Sequence, residues 1–149
     1  AIFIDILKEK DTVRIYNIHL QSLKINPNKE NFGEENSEKL LHRLQNAFKK
    51  QVIQTEQFLE HQKQFSGKKI ICGDFNNTAY SWIYHQISTD KKDAFVEAGK
   101  GFGKTFNYPF PARIDFILTD KDININQFKT FDVKYSDHYP ILARLNWDN

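Results

Sequence analysis

Lys69-Ile70-Ile71-Cys72-Gly73-Asp74-Phe75-Asn76-Asn77-Thr78 is the stretch from which the fold of this 149-residue chain can be read. The apolar run that begins at Ile70 marks a short buried strand. Gly73-Asp74 and Asn76-Asn77 mark its exit, because Gly, Asp and Asn all suit turn backbones. Cys72, the single cysteine, has no internal disulfide partner and reads as a small core hydrophobe. Upstream, across Gly67, the apolar residues Leu40, Leu41, Leu44, Phe48, Val52, Phe58, Leu59 and Phe65 recur at three- and four-residue spacing. This predicts one long amphipathic helix over residues 37–65, capped near Asn36 or Ser37 and ended by Gly67. Residues 24–36 are breaker-rich and read as an irregular loop. Residues 1–20 read as a β-hairpin, with runs at 2–7 and 12–20 around the polar Lys8-Glu9-Lys10-Asp11. Downstream, a short helix is expected over 81–87, a Gly, Pro and aromatic loop over 99–112, and strands at 113–118, 131–135 and 141–147. The expected order is β-β-α-β-α-β-β-β, an α/β chain without internal repeat or low-complexity linker.

Composition narrows the class but names no partner. Hydrophobic residues make up 40% and aromatics 14%, with 6 Gly and 4 Pro, which excludes collagen-like and low-complexity chains. The net charge of +2, from 21 Lys+Arg against 19 Asp+Glu, is too small for a nucleic-acid footprint. No run approaches the roughly 20 apolar residues of a membrane span, and no signal-peptide core is present. Met is absent even at position 1, so the chain is expected to be processed or part of a longer protein.

Four polar clusters fall at strand ends: Asn17/His19, Asp74/Asn76, Asp115 and Asp137/His138. Each alone has an ordinary reading, as a satisfied histidine, a strand exit, or a turn before the final strand set by Pro140. Asp115 resists this most, since a carboxylate between Ile114 and Phe116 needs a partner if it points inward. Together they supply what metal-assisted phosphoester hydrolysis requires: a carboxylate to align and deprotonate water, donors for phosphate oxygens, and hard oxygen ligands for a cation. Asp74 suits the water-positioning base, Asn76 an amide donor, and Asp137 an Mg²⁺ ligand. His19 and His138 suit phosphate donors, and Asp115 is placed to fix the tautomer of His138.

Asn17-Ile18-His19-Leu20, Gly73-Asp74-Phe75-Asn76, Arg113-Ile114-Asp115-Phe116-Ile117-Leu118 and Ser136-Asp137-His138-Tyr139-Pro140-Ile141 resemble, in this order, the signature blocks of the endonuclease/exonuclease/phosphatase (DNase-I-like) superfamily. The resemblance covers nearly the whole chain. It implies a four-layer α/β sandwich of mainly antiparallel or mixed sheets flanked by helices, dependence on Mg²⁺ or Mn²⁺, and hydrolysis of a phosphodiester or phosphomonoester without a covalent intermediate. Carried over block by block, it makes His19 and His138 the phosphate-binding or acid-base histidines, Asp74 the water-orienting base and a metal ligand, and Asn76 the phosphate-contacting amide. Asp115 becomes the partner of His138 and Asp137 a metal ligand. Asn17, Lys104 and Arg113 are further candidates for touching the substrate.

Members of this superfamily carry an upstream half with an early Asn and a metal-ligating Glu that nothing here replaces. Residues 1–149 therefore read as the C-terminal half to two-thirds of one such domain, expected to hydrolyse little or nothing alone. This half is expected to expose an apolar sheet face that the upstream half or another copy covers. The Gly73-to-Trp82 stretch also resembles bacterial members preceded by membrane helices, which implies a membrane-anchored parent. The alternative is a non-catalytic binding or scaffolding module that keeps the fold. A third reading rests on Ala98-Gly99-Lys100-Gly101-Phe102-Gly103-Lys104-Thr105, which fits the loose phosphate-binding-loop pattern of nucleotide-binding proteins. That loop needs a helix after it, and Pro109 and Pro111 oppose one; the stretch reads better as a rim loop over the site or as an ordinary solvated loop.

Overall fold

The computed structural model describes residues 1–8, 10–24, 34–109, 111–133 and 135–147. The chain runs β1 (Ile2–Lys8), β2 (Asp11–His19), α1 (Glu34–Lys63), β3 (Lys68–Asp74), α2 (Trp82–Ser88), β4 (Lys91–Asp93), α3 (Ala94–Ala98), β5 (Asp115–Asp120), β6 (Asn124–Thr130) and β7 (Ile141–Asn146). Five strands form one sheet in the order β1-β2-β3-β5-β4, and β6-β7 form a separate antiparallel pair. Within the five-stranded sheet β2 and β3 run parallel, across the crossover made by α1, and the other pairs are antiparallel. This is the mixed α/β architecture expected from the sequence.

Strand periodicity gives the sheet two different faces. Tyr16, Ile18, Ile71, Phe116 and Leu118 point to one side, where they pack with Phe58 of α1, Phe75 of the β3 exit, and Ile83 and Ile87 of α2. Tyr16 meets Phe58 edge-on at 5.1 Å, and Phe75 lies 4.7 Å from Phe116. The opposite face carries Val13, Ile15, Ile70 and Ile117, covered at one end by Ile123, Leu145 and Trp147 of the β6-β7 hairpin. The register pairs Ile2 with Asn17, Ile4 with Ile15 and Ile6 with Val13, so these β1 side chains share that face. They are 70%, 58% and 42% exposed.

Several boundaries and one strand differ from the sequence expectation. Helix α1 begins at Glu34, ahead of the expected cap, and ends at Lys63; the loop expected over 24–36 falls mostly on residues 25–33, outside the described residues. The buried stripe of α1 is Ala47, Gln51, Thr55 and Phe58, while Leu41 and Phe48 are exposed. Of the expected apolar positions, Phe58 is buried and Val52 and Leu59 pack against the core, while Gln51 is buried beside them with hydrogen bonds to Gln21 and Asn77. The strand expected at 131–135 is displaced to Asn124–Thr130. Residues 131–133 alternate in sequence, but the Val133 N–H donates to Phe131 O in a local turn, and the Phe131 N–H donates to Pro140 O; Lys134 lies outside the described residues. Strand β4 and helix α3 were not expected. β4 has only three polar residues, held by pairing with β5 and by an ion pair of 2.7 Å between Lys91 and Asp120. Cys72 is partly exposed; it pairs with Asn17 and Ile117 in register and so belongs to the open face. Among the described residues, no helix is long and apolar enough to cross a membrane.

Candidate active site

The register places His19 beside Asp74 and Asp74 beside Asp115. Three site residues from three strands therefore form one row across the sheet, at the end of the open face that the hairpin does not cover. The row depends on Gly73. A Cβ there would lie 1.9 Å from Ile18 O, and the residue has φ +137°, a conformation that disfavours L side chains. Beyond it, Asn76 sits at φ +50°, a left-handed position Asn tolerates. The Asn76 N–H donates to Asp74 Oδ1 at 2.7 Å, and its side-chain amide donates to Asp74 Oδ2 at 2.9 Å and to Leu20 O at 3.0 Å. The amide expected to reach a phosphate is thus spent on fixing the Asp74 carboxylate and the segment after His19.

His138 reaches this row from the loop before β7. Its Nδ1 lies 3.0 and 3.2 Å from the two carboxylate oxygens of Asp115, and its Nε2 is 3.9 Å from Asp74 Oδ2. His19 Nε2 is 3.6 Å from the same oxygen, with a side chain 74% exposed. Burial pushes the Asp74 carboxyl above its usual range. The negative charge of Asp115 pushes the same way, against the Asn76 N–H, His138 and His19. One ligand atom each from Asp74, Asp115 and His138 lies within 4.8 Å of the others. Two carboxylates and an imidazole converging on a point where negative charge is disfavoured fit a divalent cation.

These residues open into a cleft of about 520 Å³ lined by His19, Asp74, Asn76, Asp137 and His138, with an apolar wall that includes Leu23, Phe106, Ala112 and Ile114. The Phe106 ring lies 4.9 Å from His138 and stacks on Tyr108 at 6.0 Å. Asp137 lines the cleft but is not one of the three clustered donors; its carboxylate accepts from the Ser136 hydroxyl at 3.2 Å. The structure does not bring Asn17, Lys104 or Arg113 to the row. Asn17 is exposed two residues before His19. The Lys104 ammonium donates to Tyr108 O at 3.3 Å and lies 5.6 Å from the Tyr139 ring. Arg113 is partly buried in an ion pair with Asp93 at 2.6 Å, its guanidinium 4.6 Å from the Phe116 ring and 4.8 Å from that of Phe95. Its cationic end is consumed internally, where Tyr84 also donates to Asp93 at 2.7 Å. Burial and the Asp93 charge push the Tyr84 hydroxyl up to about 12. At the glycine run, helix α3 precedes Gly99 and leads into Gly101 and Gly103, the reverse of the order a phosphate-binding loop needs.

Sequence reasoning missed Gln51 and Thr105. Gln51 is fully buried; its amide donates to Gln21 O at 2.8 Å and its oxygen accepts from Asn77 at 3.1 Å, tying α1 to the loops after β2 and β3.

The sequence matches the profile of the Endonuclease/Exonuclease/phosphatase family over residues 28–138. No curated protein matches it. Among solved structures, it resembles an endonuclease/exonuclease/phosphatase family protein from Bacteroides thetaiotaomicron, with TM-score 0.67, 16% identity, 95% of this chain and 52% of that one. It also resembles the 3′ phosphatase NExo (D146N) from Neisseria bound to product DNA hairpin, with TM-score 0.61, 17% identity and coverage of 97% and 65%. A third is the mannosyl-6-phosphatase Bt3783 of Bacteroides thetaiotaomicron, with TM-score 0.58, 16% identity and coverage of 93% and 53%. At these identities the likeness is one of fold, and the chain spans about half the length of the first of these structures.

Proposed function

Because the chain belongs to the endonuclease/exonuclease/phosphatase family, whose members are metal-dependent phosphoesterases and nucleases, we propose that it carries the catalytic end of a divalent-metal-dependent phosphoesterase that hydrolyses a phosphodiester or phosphomonoester by in-line attack of water. The observation that carries this reading is the His19-Asp74-Asp115 row completed by His138. Asp74 and Asp115 would hold Mg²⁺ or Mn²⁺ through carboxylate oxygens, with Asp137 as a further ligand from the cleft wall, and the cation would neutralise charge on the phosphate.

The chain's own residues account for the rest. Asp74, held by two Asn76 donors and raised above the usual carboxylate range by burial, orients the water and accepts its proton. Asp115 accepts the Nδ1 proton of His138, which turns Nε2 toward the cleft. From there it donates to a phosphate oxygen or to the departing oxygen, and His19 donates from the other side. The wall of Phe106, Ala112 and Ile114 excludes water beside the phosphate and takes an apolar part of the substrate. Since the chain spans about half of the structures it resembles, activity of the whole protein, and cover of the exposed Ile2, Ile4 and Ile6 by the rest of a four-layer sandwich or by another copy, are part of the same proposal.

The test is hydrolysis of bis(p-nitrophenyl) phosphate and p-nitrophenyl phosphate with and without Mg²⁺ or Mn²⁺, in this chain and in one extended upstream. Chelation should abolish turnover, and His138→Ala and Asp74→Ala should each lower the rate by about 10²–10⁴-fold. Rates unchanged in both variants would reject the assignment. A cation-binding chain with no turnover in either length would favour the binding-module alternative.

A further inference from the structure

Thr105 lies in the loop between the glycine run and Phe106, fully buried although the loop is at the surface. Its side-chain oxygen accepts from the backbone N–H of Ile114 at 3.0 Å and of Asp115 at 3.1 Å. Its own N–H donates to Ala112 O at 2.9 Å, and its carbonyl accepts from the N–H of Tyr139 at 2.8 Å. A threonine hydroxyl has two acceptor positions, and both face the segment that delivers Asp115. The carbonyl holds the residue that follows His138. One buried residue is therefore bonded to both sides of the Asp115-His138 pair.

Sheet pairing explains why such a brace is needed. β4 pairs with β5 only from Leu118 to Asp120, so among the described residues the start of β5 has no strand neighbour on that side. On the other side, the Phe75 N–H donates to Ile114 O at 2.8 Å. Without Thr105 the N–H groups of Ile114 and Asp115 would lose their acceptor in a part-buried setting, which is costly. The loop also makes short bridges from Phe106 to Ala112 and to His138. These align the loop but leave the Asp115 N–H to the hydroxyl.

We propose that Thr105 is the positioning residue that sets Asp115 and His138 at hydrogen-bonding distance from one another. The proposal rests on the site reading above only in treating that pair as functional. Thr105 contacts neither phosphate nor cation; it acts through the backbone of its two neighbours.

The test needs neither metal nor substrate. Hydrogen exchange at the Ile114 and Asp115 amides and the NMR signal of the His138 Nδ1 proton are followed in the whole chain for the wild type, Thr105→Val and Thr105→Ser. Thr105→Val keeps the volume but removes the hydroxyl. It should speed exchange at Ile114 and Asp115 about tenfold and bleach the His138 proton signal, leaving Leu118 and Thr119 as protected as before. Thr105→Ser keeps the hydroxyl and should match the wild type. Should Thr105→Val fail to fold, Thr105→Ala leaves room for a water at the two amides and should show the same losses in weaker form. A folded Val or Ala variant with wild-type exchange at Asp115 and an intact His138 signal overturns the proposal, as does a Ser variant that loses both. Lack of phosphoesterase activity in the wild type would instead reject the functional reading and leave this result standing.

Discussion

The two faces of the five-stranded sheet have been put to different uses. Beneath the helices, Tyr16, Ile18, Ile71, Phe75, Phe116 and Leu118 are almost wholly removed from water, and that face holds the fold together. The opposite face is covered by the hairpin at one end, bare over β1, and charged at the other end, where His19, Asp74 and Asp115 share a row. The packed core lies on one side and the candidate site on the other. Site residues can then be desolvated enough to act, as the raised Asp74 carboxyl shows, without being buried in the core.

The largest expected effect comes where both faces depend on one backbone contact. Gly73→Ala forces a Cβ to within 1.9 Å of Ile18 O, between the strands that carry His19 and Asp74, and should cost more than about 4 kcal/mol or abolish cooperative unfolding. Wild-type-like denaturant unfolding of that variant would mean the strands need not approach so closely. Next, Phe116→Ala on the helix face should cost about 3–5 kcal/mol, whereas Ile4→Ala, at a side chain 58% exposed, should cost under about 1 kcal/mol. Similar losses from the two would erase the contrast, or show that the bare face is covered in solution. Asp93→Asn, which leaves the partly buried Arg113 guanidinium without its counter-charge, should cost about 2–4 kcal/mol, close to the core substitution.

The smallest effect concerns pH. Because burial raises the Asp74 carboxyl, the folded chain holds that proton to a higher pH than the unfolded one. The stability it contributes is present at low pH and falls as pH rises through the window between the two values. In the absence of a cation, Asp74→Asn should therefore compare best with the wild type near neutral pH, and its relative stability should decline on acidification to about pH 4. A constant difference across that range would show that Asp74 is not strained by ionisation.

The same contrast explains what the sequence revealed. The strand was legible because an apolar run such as Ile70-Ile71 followed by Gly73-Asp74 leaves few alternatives, and the four polar blocks lie where strands end. Residues whose placement depends on a partner were not. Gln51 and Thr105 are polar and buried only because loops distant in sequence present groups to them. Arg113 looked available until Asp93 and the rings of Phe95 and Phe116 closed around it. Phe131 and Val133 alternate like a strand, yet the Phe131 N–H goes to Pro140 O and the Val133 N–H closes a local turn on Phe131 O. Periodicity reports which residues seek burial, not which hydrogen bonds will be formed.

The central claim is that the charged end of the open face is a divalent-cation site. Its most direct test is a Mn²⁺ titration followed on the imidazole signals of the 5 histidines. Paramagnetic broadening should strike His138 and His19 first, leave His42, His61 and His85 sharp, and disappear in Asp74→Asn. Broadening that spreads evenly over all five, or that survives Asp74→Asn unchanged, would contradict it.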